Sequence, residues 1–501
     1  MEKGDHGAPF TVLSERHKKW TIAITSLVTF VSPVSANIYY PALNEMASEL
    51  HSTSSKINLT ITAFMLTGFD LQIVQGVGPF LVASFSDIYG RRVTSIAALI
   101  VYLAVNIGLA LQSSYPALMT LRCLQSFGSS TASIVCTSVA ADLVPRAERG
   151  RYMIYSTLGV TVGPAVGPIV GGILTQFLNW RSTFWFLAIF AGVMAISMLL
   201  FVPETCRAVV GNGSVSPPRW NLPLVQCFGN RKPSSDPYLS ECGKLPPPPK
   251  RPTPLDSIKI SMERETFAVI LSTTLLYCGY TAVLSTLPSQ LEEKYGFNPL
   301  QVGLCYIPYG IGSLSSRWTI GTLIDWNFRR FAKIHGVEIV KNQQSDLDSI
   351  PIEKARLQIV IPLLYGSAVV IVGYGWVMNY RTNLAGPLVM LFFVSHLVAG
   401  ASSVLTALLV DLHSYRPATI NTARNLFRCL AGAGAVAGAV PLINVIGIGW
   451  FGTMIAFIWV LCSPIMWGVY FWGYDYRQRK VVFHKRSSES SSDDEPNRDT
   501  K

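Results

Sequence analysis

Twelve mostly apolar runs, each of about twenty residues or more, dominate this 501-residue chain. They lie at 21–43, 57–85, 94–114, 116–143, 150–177 and 181–203, then at 266–288, 299–324, 358–378, 385–411, 418–443 and 449–472. A bilayer core about 30 Å thick is crossed by about 20 helical residues, whereas a barrel strand crosses it in about 10. A helix also satisfies its own backbone hydrogen bonds in lipid, where water cannot. The fold class expected is therefore an all-α polytopic membrane protein with twelve transmembrane helices. Only 14% of residues are charged, against about 25% in soluble proteins, which argues against a soluble enzyme, a coiled coil and a disordered chain.

The net charge of +11 raises the possibility of a nucleic-acid partner, but its distribution argues otherwise. With both termini inside, 32 of the 40 Lys and Arg fall in inner segments, and the outer loops hold only Lys56, Arg181, Lys294 and Arg381. The remaining four, Arg122, Arg317, Arg424 and Arg428, lie within spans. This is the positive-inside pattern, so no nucleic acid is expected and both termini are placed in the cytosol. The first run follows twenty polar residues and ends in NIYYP (37–41) rather than a small-residue cleavage site, so it reads as a span and not a signal peptide. The nine cysteines show no metal-ligand spacing and read as free thiols. No catalytic constellation and no phosphate-cradling loop is present, so neither an enzyme nor an ATP-driven pump is expected. No metal or cofactor is expected either; a proton gradient is the expected driving force.

The hydrophobic pattern breaks between 204 and 265, a stretch rich in Pro, Ser, Gly and charge that includes PPPP at 246–249. Such composition reads as a linker. The domain plan is a cytosolic segment over 1–20, a six-helix bundle over 21–203, a cytosolic linker over 204–265, a second six-helix bundle over 266–472 and a disordered cytosolic tail over 473–501. An internal echo supports two related halves. ASFSDIYGRR (83–92) follows the second run, and GTLIDWNFRR (321–330) follows the eighth. In each, the acid (Asp87, Asp325) precedes two arginines (Arg91 and Arg92; Arg329 and Arg330) at the same spacing, with Gly90 in the first loop and Gly321 opening the second segment.

These residues resemble those of a known family. The loop at 83–92 is similar to the G-x-x-x-D-x-x-G-R-R motif of the major facilitator superfamily, with Ala83 in place of the leading glycine. In the fourth run Arg122, Gln125 and Gly128 match R-x-x-Q-G-x-G, with Ser126 where glycine is usual. In the fifth, Gly159, Gly163, Pro164, Gly167 and Gly171 resemble the G-x-x-x-G-P-x-x-G motif that marks antiporters. PETCR (203–207), EKARL (353–357) and NLFRC (425–429) resemble fungal twelve-span drug:proton antiporters, nearest the quinidine-resistance branch. The resemblance covers about residues 20 to 475.

It implies a charge relay at Asp87, Arg91 and Arg92, echoed by Asp325, Arg329 and Arg330, that locks one conformation and releases in another; simple headgroup anchoring is the alternative. It implies a role for Arg122 in proton coupling. A deep arginine carries an insertion penalty of about 2.5 kcal/mol or more, so it needs a cavity or a polar partner. The first span offers no carboxylate, only Asn37, Tyr39 and Tyr40. The glycines at 159, 163, 167 and 171 recur every four residues and share one helix face. They permit close helix approach, while Pro164 and Pro168 bend the helix. Asp70 is the one acid near the middle of a span and by default a proton site. Yet 57–86 is thirty residues long, and removing 66–72 leaves twenty-three. Those seven residues read equally as an insertion or a gene-model error. Arg424 and Arg428 share a face at i, i+4; Arg428, beside Asn425, is deep enough to bind an anionic group or a helix end, and snorkelling alone is the alternative for Arg424. Tyr306, Tyr309, Trp318 and Tyr374 are candidates to line a cavity, and Asn58 opens a glycosylation sequon.

The expected function is secondary active export of drugs, toxins or secondary metabolites in exchange for protons, by alternating access. Uptake or facilitated movement of a small metabolite, amine or cation is the alternative, and a non-transporting membrane sensor ranks below both. The expected partners are a small organic substrate, protons and lipid, with a monomer sufficing. The expected site is the plasma membrane, with the vacuolar membrane as the alternative.

Overall fold

The structure, a computed structural model, describes residues 11–49, 86, 89–144, 149–211, 215, 217–218, 221–223, 260–336, 351–413 and 417–493. Every regular element among them is a helix. In chain order these are α1 (Glu15–Asn37), a 3-10 turn (Tyr40–Ala42), α2 (Leu43–Glu49), α3 (Arg91–Leu111), α4 (Tyr115–Leu143), α5 (Arg149–Phe177), α6 (Arg181–Phe201) and the short α7 (Arg207–Val210). Then follow α8 (Arg264–Tyr295), α9 (Pro299–Leu304), α10 (Ile307–Ile334), α11 (Ile352–Asn379), α12 (Ala385–Leu412), α13 (Pro417–Leu461) and α14 (Ser463–Asp493). Eleven of the twelve expected spans fall on these helices; the second, 57–85, lies outside the described residues, as do Asn58 and Asp70.

Seven of the helical segments are long and apolar enough by themselves to cross a membrane. Their polar residues do not interrupt them, because short hydroxyls bond back to their own helix. Thr25 Oγ1 donates to Thr21 O at 2.9 Å, and Thr273 Oγ1 to Val269 O at 2.7 Å. Ends are marked by local chemistry. Gly296 closes α8 at φ 67, and Asn298 and Gln301 form a reciprocal capping box that starts α9.

Three sequence expectations about the elements need correction. The eighth span is two helices, since the chain turns at Cys305–Tyr306 between α9 and α10. The segment 321–330, read as a loop, lies inside α10; no proline follows Pro308 in this helix, and hydrogen bonding runs on to Ile334. The eleventh and twelfth spans part at Gly447, between the bounds expected for them, where a φ of 78 breaks α13 and a side chain would be resisted; the twelfth then runs on past Leu461 into α14. The tail read as disordered from 473 continues α14 to Asp493, and Arg477 within it is tied to Glu353. The opening of the linker is also packed: Glu204, Cys206, Val210 and Asn221 are all buried.

Packing sorts the helices by neighbourhood. α1, α3, α4, α5 and α6 pack on one another, and α8 and α10 to α14 do likewise. The principal contacts between the two sets run through α5 with α9 and α10, and through the 3-10 turn and α2 with α8 and α9. The contacts of α9, the 3-10 turn and α2 lie toward the ends that the charge pattern assigns to the outside, while the α5–α10 contact reaches Ala165, midway along α5.

Candidate functional site

At the end of the first half that the charge pattern assigns to the inside, α3 begins after Gly90, which has φ 104 and offers no side chain as a cap. The cap comes from far along the chain. Glu204 Oε1 accepts from the backbone nitrogens of Arg91 (2.8 Å), Thr205 (2.9 Å) and Cys206 (2.9 Å). Its Oε2 accepts from Arg92 N at 3.2 Å and Asn221 Nδ2 at 2.8 Å. A buried carboxylate at a helix N-terminus is favoured by the unpaired N–H groups there. A Cβ on Gly90 would run into that carboxylate, so the glycine is required twice, by space and by φ.

Held in this way, Arg91 reaches across to the end of α4, with Nε 3.1 Å from Asp142 Oδ2. Arg92 instead turns inward, donating to Leu199 O at 2.8 Å and Asn221 Oδ1 at 3.5 Å. Asp87 lies outside the described residues. The second half carries a related arrangement, but not on the residues of the sequence echo. Asp325, Arg329 and Arg330 are exposed along α10, and none of them has an ion pair among the described residues; Gly321 has open space around it. The pairs form one helix later. Arg356, near the start of α11, meets Asp411 at the end of α12 (3.0 Å), and Glu353, fully buried, meets Arg477 of α14 (2.8 Å). Asp142 and Asp411 were not singled out from sequence. Their common signal is an acid in the last turn of an apolar run, half a bundle away from an arginine that opens another.

The glycine series of α5 lies against α1. A Cβ at Gly159 would sit 2.9 Å from Phe30 N and Ser26 O, at Gly163 2.7 Å from Pro33 Cγ, and at Gly167 3.2 Å from Ile38 N; at Gly171 it would overlap Ile38 O. Pro164 and Pro168 lie in the interior of the same helix. The next residue, Gly172, turns to the other half. Its Cβ would lie 2.5 Å from Pro299 O, and one on Gly303 of α9 would lie 2.5 Å from Pro168 O. Two glycines thus let α5 and α9 touch backbone to backbone, with no room for a side chain between them.

Arg122 sits seven residues, roughly 10 Å, into α4 and is fully buried. Its described partners are neutral. Nη1 donates to Gln125 Oε1 at 2.8 Å and to Ser35 O at 3.4 Å. The guanidinium lies 3.6 Å from the Tyr39 ring centroid and 4.7 Å from that of Phe184. Desolvated cation–π contacts of this kind contribute about 2 kcal/mol or more each. Gln125 passes the network on to Asn106 Oδ1 (2.6 Å), Asn106 donates to Tyr102 O (2.7 Å), and Tyr102 bonds to Ser35. Of the polar residues anticipated on the first span, Tyr39 is the one that meets the guanidinium. Asn37 bonds back to Pro33 O at 2.6 Å, on the side facing Gly167.

Tyr40 links the halves, its ring centroid 5.9 Å from Tyr39 and 6.3 Å from Tyr306. Tyr306 donates to Leu284 O at 2.8 Å, and Tyr309 packs on Tyr280 at 5.4 Å. Trp318 leaves this group, being 79% exposed on the outside of α10, and Tyr374 is buried in α11. On α13, Arg428 donates to Asn425 Oδ1 at 2.8 Å and lies 4.6 Å from the Tyr277 ring centroid. Tyr277 and Tyr280 escaped sequence reasoning because α8 carries no motif, and a tyrosine in a span has no signature until its neighbours are known.

Comparison with known proteins accords with this architecture. The family model of the Major Facilitator Superfamily matches residues 25–436. The chain is 43% identical over 484 residues to the MFS-type transporter clz19 of Cochliobolus lunatus, covering 97% of this chain and 88% of that one. It is 31% identical over 483 residues to Citrate exporter 1 of Aspergillus niger, covering 94% and 89%. In fold it resembles the xylose transporter XylE of E. coli in an inward-open conformation, with a TM-score of 0.61 at 14% identity over 89% of this chain and 95% of that one. The chain therefore belongs to the major facilitator superfamily, and is an all-helical, multi-pass membrane transporter of small substrates rather than an enzyme.

Proposed function

We propose that this transporter exports small organic compounds, drugs or the cell's own toxic metabolites, across the plasma membrane in exchange for protons, with both termini in the cytosol and one chain as the working unit. The observation that carries the reading is where the described helices of the two halves meet. α5 and α9 meet through Gly172 and Gly303 at the ends placed outside. An exporter at rest loads from the cytosol, so a seal on the outer side is the state it presents to its substrate. Alternating access then consists of parting this contact while the inner ends close.

Arg122 serves coupling in this scheme by holding α1, α4 and α6 in one polar and aromatic unit. Asp70 is the candidate proton carrier on sequence grounds. The name of one relative, Citrate exporter 1, supports outward movement.

The test is transport in vesicles loaded with candidate substrates under an imposed pH gradient. Efflux should follow the inward proton gradient and collapse with a protonophore. Efflux indifferent to both would sink the antiport reading. Arg122→Ala should abolish flux while the protein is still made and folded; normal flux in that variant would overturn its role.

A further inference from the structure

The spans hold four arginines, and they are not equivalent. Arg122 is closed off, with its guanidinium sandwiched between Tyr39 and Phe184 and bonded to Gln125 and Ser35. The pair on α13 is different. Arg424 and Arg428 lie one helical turn apart on one face, and both are only half-buried. From Pro417 to Arg428 is eleven residues, roughly 16 Å of helix, about half the thickness of the hydrocarbon core.

Neither has an ion pair among the described residues. The Nε of each is buried without a hydrogen-bond partner. The described partners of Arg428 are neutral: Asn425, the Cys429 thiol and the Tyr277 ring. Like charges at i, i+4 repel, and buried guanidinium nitrogens without acceptors are unfavourable. Two such groups on one helix face, with the Tyr277 ring beside Arg428, are suited to binding an anion. A guanidinium donates two parallel bonds to a carboxylate, which an ammonium cannot.

Building on the export reading above, we propose that the substrate is a small organic anion, whose carboxylate is bound by Arg424 and Arg428 of α13 with the Tyr277 ring alongside. The site has the opposite sign to that expected for a transporter of cationic drugs or amines. It also divides labour between the halves: the enclosed arginine of α4 serves structure and coupling, and the half-open pair of α13 holds the cargo.

The test is ligand-induced thermal stabilisation of the purified full-length protein in phosphatidylcholine nanodiscs, with no gradient present. Benzoate and succinate are the probes, and benzamide and succinamide are their uncharged counterparts. Stabilisation that saturates with the carboxylates and is absent with the amides is expected. Arg428→Gln and Arg424→Gln should each weaken it about tenfold or more, the loss of one charge-assisted bond. Arg428→Lys should retain part of it. Elution volume and unliganded melting of each variant establish that it folds.

Equal stabilisation by the amides, or unchanged carboxylate binding in both glutamine variants, would overturn the proposal. So would no stabilisation by either carboxylate. A further arm replaces part of the phosphatidylcholine with phosphatidylserine. Arginine-dependent stabilisation by that lipid alone would assign the pair to headgroups and overturn the substrate role. Because no gradient enters this assay, the two readings fail separately. Binding without proton-driven efflux refutes antiport alone, and efflux without arginine-dependent carboxylate binding refutes this inference alone.

Discussion

Removing the carboxylate of Glu204 tests how the start of α3 is held. Five donors converge on it: three on Oε1, from Arg91 N, Thr205 N and Cys206 N, and two on Oε2, from Arg92 N and Asn221 Nδ2. Glu204 is 5% exposed and Asn221 0%, so water does not readily replace it. In Glu204→Ala all five lose their acceptor and the start of α3 loses its negative charge. Partial relaxation offsets some of this, leaving about 3–5 kcal/mol, the range for breaking a buried charged network. In Glu204→Gln the amide oxygen can take the place of Oε1 and keep three bonds. Its NH2 then faces two donors, which sets the loss at about 1–3 kcal/mol. The measurement is apparent melting in detergent followed by size-exclusion fluorescence, together with efflux, because the same contact positions Arg91 for Asp142. The expected order is wild type, then Gln, then Ala. Melting of the alanine variant within error of wild type, or a glutamine variant at least as damaged as alanine, would refute the capping argument.

Other outcomes follow from the same geometry. Gly90→Ala should destabilise the protein as Glu204→Ala does, since φ 104 and the adjacent carboxylate both oppose a side chain; melting checks it. Gly172→Val should wedge α5 from α9, and, with the native cysteines replaced, a Leu300→Cys reporter should then react faster with a membrane-impermeant maleimide added outside. Arg356→Asp and Asp411→Arg should each suppress efflux, and the double variant should recover part of it; a double variant no better than the singles would mean that pairing is not what matters. At the opposite end of the first half, Glu49 accepts from Trp180 Nε1 and pairs with Arg181. The Trp180 hydrogen bond, followed by the smaller effect of Arg181, holds its carboxyl below the usual range against the opposing effect of burial. A lowered folded pKa means that this contribution is present above the unfolded carboxylate value and lost as pH falls through the folded one. Because the Glu49 side chain is 46% exposed, the effect is small. Melting should decline slightly more steeply with acid in wild type than in Glu49→Gln.

The spans were legible because a helix in lipid announces itself by length and composition alone. The α5 glycines were legible as a face, since spacing by four fixes a face whatever lies opposite. What lay opposite was not: that Gly159 to Gly171 meet α1 while Gly172 meets α9 depends on where two other helices sit. Charge behaved in the same way. Arg122 was visible as a deep cation, but its principal partners, the Tyr39 and Phe184 rings, carry no charge to search for. The echo at 321–330 rests on spacing, whereas contact decides which residues pair in this conformation. Arg329 and Arg330 repeat the pattern of Arg91 and Arg92, yet α10 runs past them, and the second half places its ion pairs on Arg356 and Glu353 instead.

That displacement has a consequence for how the halves work. In the first half an acid beyond the last span, Glu204, holds the opening of α3. In the second a base beyond the last span, Arg477, holds an acid, Glu353, at the opening of α11. Position is kept while the charge is exchanged. Arg91 with Asp142 and Arg356 with Asp411 keep both position and sign, each tying a third helix to the end of a fourth. One contact therefore ties each half in the same way; the other joins an acid to a helix N-terminus in the first half and to a base in the second, where Glu353 is fully buried. Arg91, Asp142, Arg356 and Asp411 keep part of their side chains exposed, so salt reaches these two pairs. If closure at these ends depends on them, it should weaken with added salt, while the contact of Gly172 with Pro299, which contains no charge, should be indifferent to it. Maleimide access to reporters on the two sides, measured against ionic strength, separates the two. Equal salt dependence on both sides would show that these pairs do not govern closure there.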